Sequence, residues 1–200
     1  MRIIRTGSCV VVLVGVAGGA VGQVNQMPPD MAQKVGNAIA RMIPAARGAP
    51  FKVDPVVGRT VGLTAQGGLA IVMCPARGLT AEKVAGAGDE PTPAGVLAMK
   101  GVQLLIDDKA FPAEKLIQLG GDSGRSVPAF WLAVKKVDGK PSLLFCGKDD
   151  ETRGVPLKRV EAEGDEAAAL KFVGLEGDRA GRFEITLCGE YRASFILGAR

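Results

Sequence analysis

Histidine is absent from the 200 residues. That removes Ser-His-Asp and Cys-His catalysis and every zinc site built on imidazole. Aromatic residues are few: one tryptophan, one tyrosine and seven phenylalanines, too sparse for stacking platforms on nucleic-acid bases or sugars. Paired Cys-x-x-Cys, phosphate-loop spacing and dinucleotide-binding glycines are missing as well. A stripe of one charge is also lacking. Residues 1–22 hold two of the 25 basic residues and none of the 21 acidic ones, so the remainder balances 23 against 21. Its charges alternate in sign, as in Lys148-Asp149-Asp150-Glu151, which argues against a nucleic-acid partner despite a pI near 9.0.

Long hydrophobic runs are lacking too. The longest, Cys9 to Ala17, is well short of the ~20 residues that a membrane-spanning helix needs. It follows the basic Met1, Arg2 and Arg5 and precedes the small residues Ala20-Val21-Gly22. Charge, apolar run and small residues in that order mark a cleavable secretory leader over residues 1–22. The expected location is therefore secreted or periplasmic, with no integral membrane span.

Glycine is abundant, at 28 residues or about double the usual ~7% share. Scattered without a period, it points to many turns between short elements. Residues 23–58 read as one helix followed by a Pro/Gly linker. Asp30 is placed to cap a helix over 31–43, with Met31, Val35, Ala38, Ile39, Met42 and Ile43 on its apolar side. Residues 59–200 read as an all-β domain of about ten short strands, an antiparallel sandwich or barrel. Val137-Asp138-Gly139-Lys140 is a hairpin signal. One helical turn is expected at Thr80–Val84, with Thr80 as its cap.

Cys9 belongs to the leader, which leaves Cys74, Cys146 and Cys188. Each lies seven residues after a glycine, at the end of an apolar strand. Period-two alternation places Leu69, Ile71 and Met73 on one face, and likewise Pro141, Leu143 and Phe145, then Phe183, Ile185 and Leu187. Every cysteine then falls on the opposite face. An odd number of thiols in an oxidising compartment suggests one disulfide and one buried free cysteine. Cys146–Cys188 is the expected pair, since both end similar hairpin halves followed by glycine. Three buried thiols, or one reactive thiol, are the alternatives.

Gly121-Asp122-Ser123-Gly124 resembles the nucleophile segment of trypsin-like serine proteases over four residues. Arg125 stands where that family has glycine, and no histidine is present to take the serine proton. A Ser-Lys dyad with Lys115 or Lys109 would be needed instead, and a polar turn explains the segment without catalysis. The acidic groups at Asp107-Asp108, Asp149–Glu151 and Glu161–Glu166 lack calcium-loop spacing and read as solvated turns. Neither a cofactor nor a metal is implied. The expected function is an exported, non-catalytic binding or structural module with a protein or envelope partner. A histidine-independent hydrolase using Ser123 or a cysteine competes with it, as does a carrier of a small apolar ligand.

N-terminal sequencing of the exported protein is expected to begin at Gln23, or at Val21 if cleavage follows Ala20. Intact Met1 on protein outside the cytoplasm would contradict the leader.

Overall fold

The computed structural model describes residues 23–120, 126–162, 168–177 and 180–199; the expected leader over residues 1–22 and Ser123 lie outside these. Fourteen strands among the described residues form two sheets, and every pairing is antiparallel. Numbered in chain order, sheet 1 holds β1 (Asn25–Gln26), β2 (Val61–Ala65), β3 (Leu69–Pro75), β4 (Thr92–Lys100), β7 (Ile117–Gly120), β8 (Ser126–Val137), β9 (Lys140–Cys146) and β10 (Thr152–Pro156). Their order is β1-β2-β3-β4-β8-β9-β10, with β7 also bonded to β8. Sheet 2 holds β5 (Val102–Ile106), β6 (Lys109–Ala110), β11 (Lys158–Arg159), β12 (Ala168–Glu176), β13 (Ala180–Leu187) and β14 (Tyr191–Ala199). The order there is β12-β13-β14-β5-β6, with β11 also on β14.

Among the described residues the chain crosses between the sheets from β4 to β5, from β6 to β7 through residues 111–116, and from β10 to β11. β4 passes into β5 at Gly101, whose φ is +74° and where an added Cβ would stand 2.5 Å from Leu69 Cδ2. Only glycine suits both the backbone angle and that approach. β10 passes into β11 at the buried Leu157. β13 takes one edge of β14, while β5 and β11 share the other. Strand pairing together with the covalent β4–β5 and β10–β11 crossings therefore leads from β14 through β5 and β4 to β8, and back through β9, β10 and β11.

The space between the sheets is filled by the faces that alternation assigns. Ile71, Met73, Leu143, Phe145, Phe183, Ile185 and Leu187 are all buried there, and Leu69 and Phe172 pack at its margin. Six phenylalanines make one unbroken run through it. Ring centroids lie 4.7 Å apart for Phe111–Phe130, 5.7 Å for Phe130–Phe145 and 5.1 Å for Phe145–Phe195. The run continues at 6.2 Å to Phe183 and 5.3 Å to Phe172. The scarcity of aromatics thus hides their concentration in one place.

The outer face of sheet 1 is covered by α1 (Pro29–Met42) and the segment after it. Asp30 does not cap this helix. Pro28 holds the cap position with no side-chain bond, and Pro29 opens the first turn, where its fixed φ suits the helix and its missing N–H costs nothing. Asp30 sits inside that turn, near the positive end of the helix dipole. The buried face is also rotated from expectation. Ala32, Gly36, Ile39 and the following Ile43 are buried, whereas Met31 and Ala38 are exposed. Gly36 is a point of contact, since an added Cβ would meet Thr60 Oγ1 at 2.2 Å and Thr60 Cβ at 3.0 Å. The second helix, α2 (Ala81–Ala85), is capped as expected, with the Lys83 N–H donating to the Thr80 hydroxyl at 3.4 Å.

Truncating Phe145 to alanine is expected to lower unfolding free energy in urea by about 2–5 kcal/mol, as is truncating Ile185. Losses below about 1 kcal/mol at both would mean these faces do not form the core. Gly36→Ala is expected to cost about 1–3 kcal/mol through overpacking, with part recovered in a Gly36→Ala, Thr60→Ala double variant.

Candidate functional site

Antiparallel register sets the thiols in a pattern that sequence alone did not reveal. Cys74 lies opposite Val96, Val96 opposite Trp131, Trp131 opposite Cys146, and Cys146 opposite Thr152. The four core members, Cys74 to Cys146, point to the α1 side of sheet 1 and are buried. At about 4.8 Å per strand, Cys74 and Cys146 are roughly 14 Å apart. A disulfide needs Cα atoms within about 7 Å.

The expected Cys146–Cys188 bond is not formed; the three cysteines among the described residues, Cys74, Cys146 and Cys188, are free. Alternation holds for Cys74 and Cys146 but fails for Cys188. β13 ends at Leu187, and Cys188 and Gly189 take φ of +51° and +67° in a tight turn closed by the Glu190 N–H donating to the Leu187 carbonyl at 3.1 Å. Both positive φ values mark the hairpin turn that matches strand twist. The turn reverses the side-chain direction, so Cys188 packs half-buried against the core between the sheets. Cys146 faces the opposite side of sheet 1, which separates the two.

Burial governs the chemistry of these thiols. It pushes Cys74 from the ordinary 9.0 up to about 11, against a smaller opposing effect of the Thr60 hydroxyl. Thr60 Oγ1 lies 3.6 Å from Cys74 Sγ and 2.8 Å from the Val57 carbonyl, and its one proton serves one acceptor at a time. Burial likewise pushes Cys146 up to about 11, opposed by Thr152. Cys188 is raised by burial and then by Glu82 and Glu190, with Arg59 opposing. Since the thiolate is the nucleophile, all three environments suppress reactivity. Between Cys74 and Cys146 in the same row, the Trp131 indole N–H is buried without an acceptor among the described residues.

Ser123 falls outside the described residues. Lys115, its suggested partner, donates to Asp149 Oδ2 at 2.8 Å; that bond and the carboxylate charge raise its pKa and hold it as an ammonium. Asp107 and Asp108 occupy a hairpin turn with φ of +50° and +59°, and Asp149 and Asp150 do the same at +53° and +59°. Aspartate tolerates this region, so backbone conformation accounts for both pairs. Glu161 is described and Glu163–Glu166 are not. Among the described residues no group of three or more His, Cys, Asp or Glu side chains is arranged to hold a metal ion. No helix among them is long and apolar enough to cross a membrane.

Concavities among the described residues offer further candidate sites. Val24, Leu63, Leu69, Val102, Phe183 and Leu197 line an apolar mouth between the sheets, of about 40 Å³. A groove of about 780 Å³ runs between the start of α1 and β12, with Met27 and Leu170 on its floor and Arg59 and Lys171 among its walls. Another, of about 570 Å³, lies on the outer face of β8–β10 beside Lys135, Lys140, Ser142 and Thr152. The first two are lined by segments distant in sequence, whereas the third is lined by the consecutive strands β8, β9 and β10. Against family models, curated proteins and solved structures, the chain finds no match.

An unfolded thiol ionises near 9.0 while Cys74 and Cys146 hold their protons to about 11, so the native state binds more protons across that window. Stability is expected to fall as pH rises from 9, by roughly 1.4 kcal/mol per unit and per thiol, levelling off above about 11. Denaturant titrations of the Cys74→Ala, Cys146→Ala double variant should show a shallower decline. An unchanged slope would exclude these thiols as its source.

Proposed function

We propose that this chain is exported on its leader and that residues 23–200 work outside the cytoplasm as a non-catalytic binding or structural β-module for a protein or envelope partner. The supporting observation is where the packing lies. The phenylalanine run from Phe111 to Phe172 occupies the space between the sheets, and the mouth that remains is about 40 Å³. Small-molecule sites usually measure about 300–1,000 Å³, so a carrier has little room there. The hydrolase reading gains nothing from thiols that burial keeps protonated or from a Lys115 ammonium paired with Asp149, whose carboxylate raises its pKa. The larger concavities lie on the surface, beside strand edges, where a macromolecular partner has access.

Fractionation of cells expressing a C-terminally tagged chain, combined with fluorophosphonate labelling of the native protein, tests this reading. Recovery outside the cytoplasm without labelling at Ser123 is the expected result. Labelling at Ser123 that is lost in Ser123→Ala would replace the module with a hydrolase. Saturable binding of an apolar fluorophore, abolished by Phe183→Trp, would favour the carrier.

A further inference from the structure

We propose that Gln23 is a modification site: freed by removal of residues 1–22, its α-amine closes on its own side-chain amide to form an N-terminal pyroglutamate. This rests on the leader reading above and on cleavage before Gln23 rather than before Val21. The step balances within one residue. The α-nitrogen attacks the side-chain carbonyl carbon Cδ, a ring C–N bond forms, the bond from Cδ to the amide nitrogen breaks, and ammonia leaves with the proton from the amine. No oxidant, reductant or second substrate is required. The two reacting groups belong to one side chain, so the reaction is intramolecular and needs no encounter.

The fold leaves this residue free to react. Gln23 is exposed, and strand pairing begins only at Asn25, opposite Thr64. The Met27 N–H then donates to the Gly62 carbonyl at 2.8 Å, fixing the chain as it enters α1. The Gln23 backbone carbonyl accepts from Asn25 Nδ2 at 3.4 Å, and ring closure uses neither atom. Cyclisation therefore proceeds on the folded protein without displacing β1.

The neighbouring residue gives the modification a structural consequence. Val24 is partly buried and lines the apolar mouth with Leu63, Leu69 and Phe183. An uncyclised terminus would hold an ammonium one residue from this apolar seat, whereas the lactam is neutral. Removing the charge favours Val24 in its seat, because a cation is costly to bring against apolar surface. The lactam also blocks aminopeptidase attack at the end of the chain that leads into the edge strand β1.

Intact-mass analysis of the exported protein, paired with N-terminal sequencing before and after pyroglutamyl aminopeptidase, tests the proposal. The expected result is a mass for residues 23–200 lighter by one ammonia, with sequencing blocked until the enzyme exposes Val24. A first preparation with a free Gln23 amine that converts on storage at neutral pH also supports it. Gln23→Ala should give an unblocked chain at the same cleavage point. A Gln23 amine that stays free after prolonged incubation overturns the modification and leaves the leader intact. A terminus at Val21 does the same, while an intact Met1 on exported protein overturns both.

Discussion

Between Ala129 and Val134, β8 has no solvated face, and the layering of the molecule follows from that constraint. All six residues are fully buried. Phe130, Leu132 and Val134 face sheet 2, and Ala129, Trp131 and Ala133 face α1. A strand apolar on both sides gains from burial only if each side is covered, at roughly 1.5–3 kcal/mol for each large side chain removed from water. Sheet 2 covers one side and the helical segment the other. The alanines flanking Trp131 keep the outer face low, which lets the cover approach closely around a single large ring. β4, β7 and β9 all bond to this strand, so loss of either cover would expose the hub of sheet 1.

Much of this was legible because it is local. Alternation in β3, β9 and β13 identified the inward faces, and Asp138-Gly139 identified a hairpin turn that the structure contains. The Ala129–Val134 run, apolar at every position, marked a doubly covered strand. What escaped depends on contacts between distant segments. β1 is two residues long and exists through its pairing with β2. The start of β4 carries Pro93 and is accommodated by a register shift between Pro93 and Gly95, which no propensity reveals. The rotation of α1 follows from Gly36 meeting Thr60, twenty-four positions later. The thiol row needed strand order, and the two larger grooves needed the placement of β10 and β12.

Cys188 illustrates a local rule broken at a single atom pair. The other tight turns place aspartate or glycine where φ is positive, as at Asp107-Asp108, Asp138-Gly139 and Asp149-Asp150. Cysteine in that region costs about 1–2 kcal/mol against glycine. Contact of its sulfur with the inter-sheet core offsets part of this cost. Period-two reasoning placed Cys188 with Cys74 and Cys146 because it assumed that the strand ran one residue further.

Unbridged cysteines are compatible with the proposed export to an oxidising compartment when the thiols remain protonated. Disulfide formation begins with thiolate attack, and a shift from 9.0 to about 11 lowers the thiolate fraction at neutral pH about 100-fold. Cys74 and Cys146 are also covered by α1 and the segment that follows it, and they are too far apart to bond with each other. Cys188 lies across sheet 1, with Glu82 and Glu190 further disfavouring its thiolate. A chain of this length buries about 70% of its extended surface on folding, enough for packing to replace a covalent staple. The three sulfurs then serve as small hydrophobes, and the covers that make β8 a hub also keep them reduced.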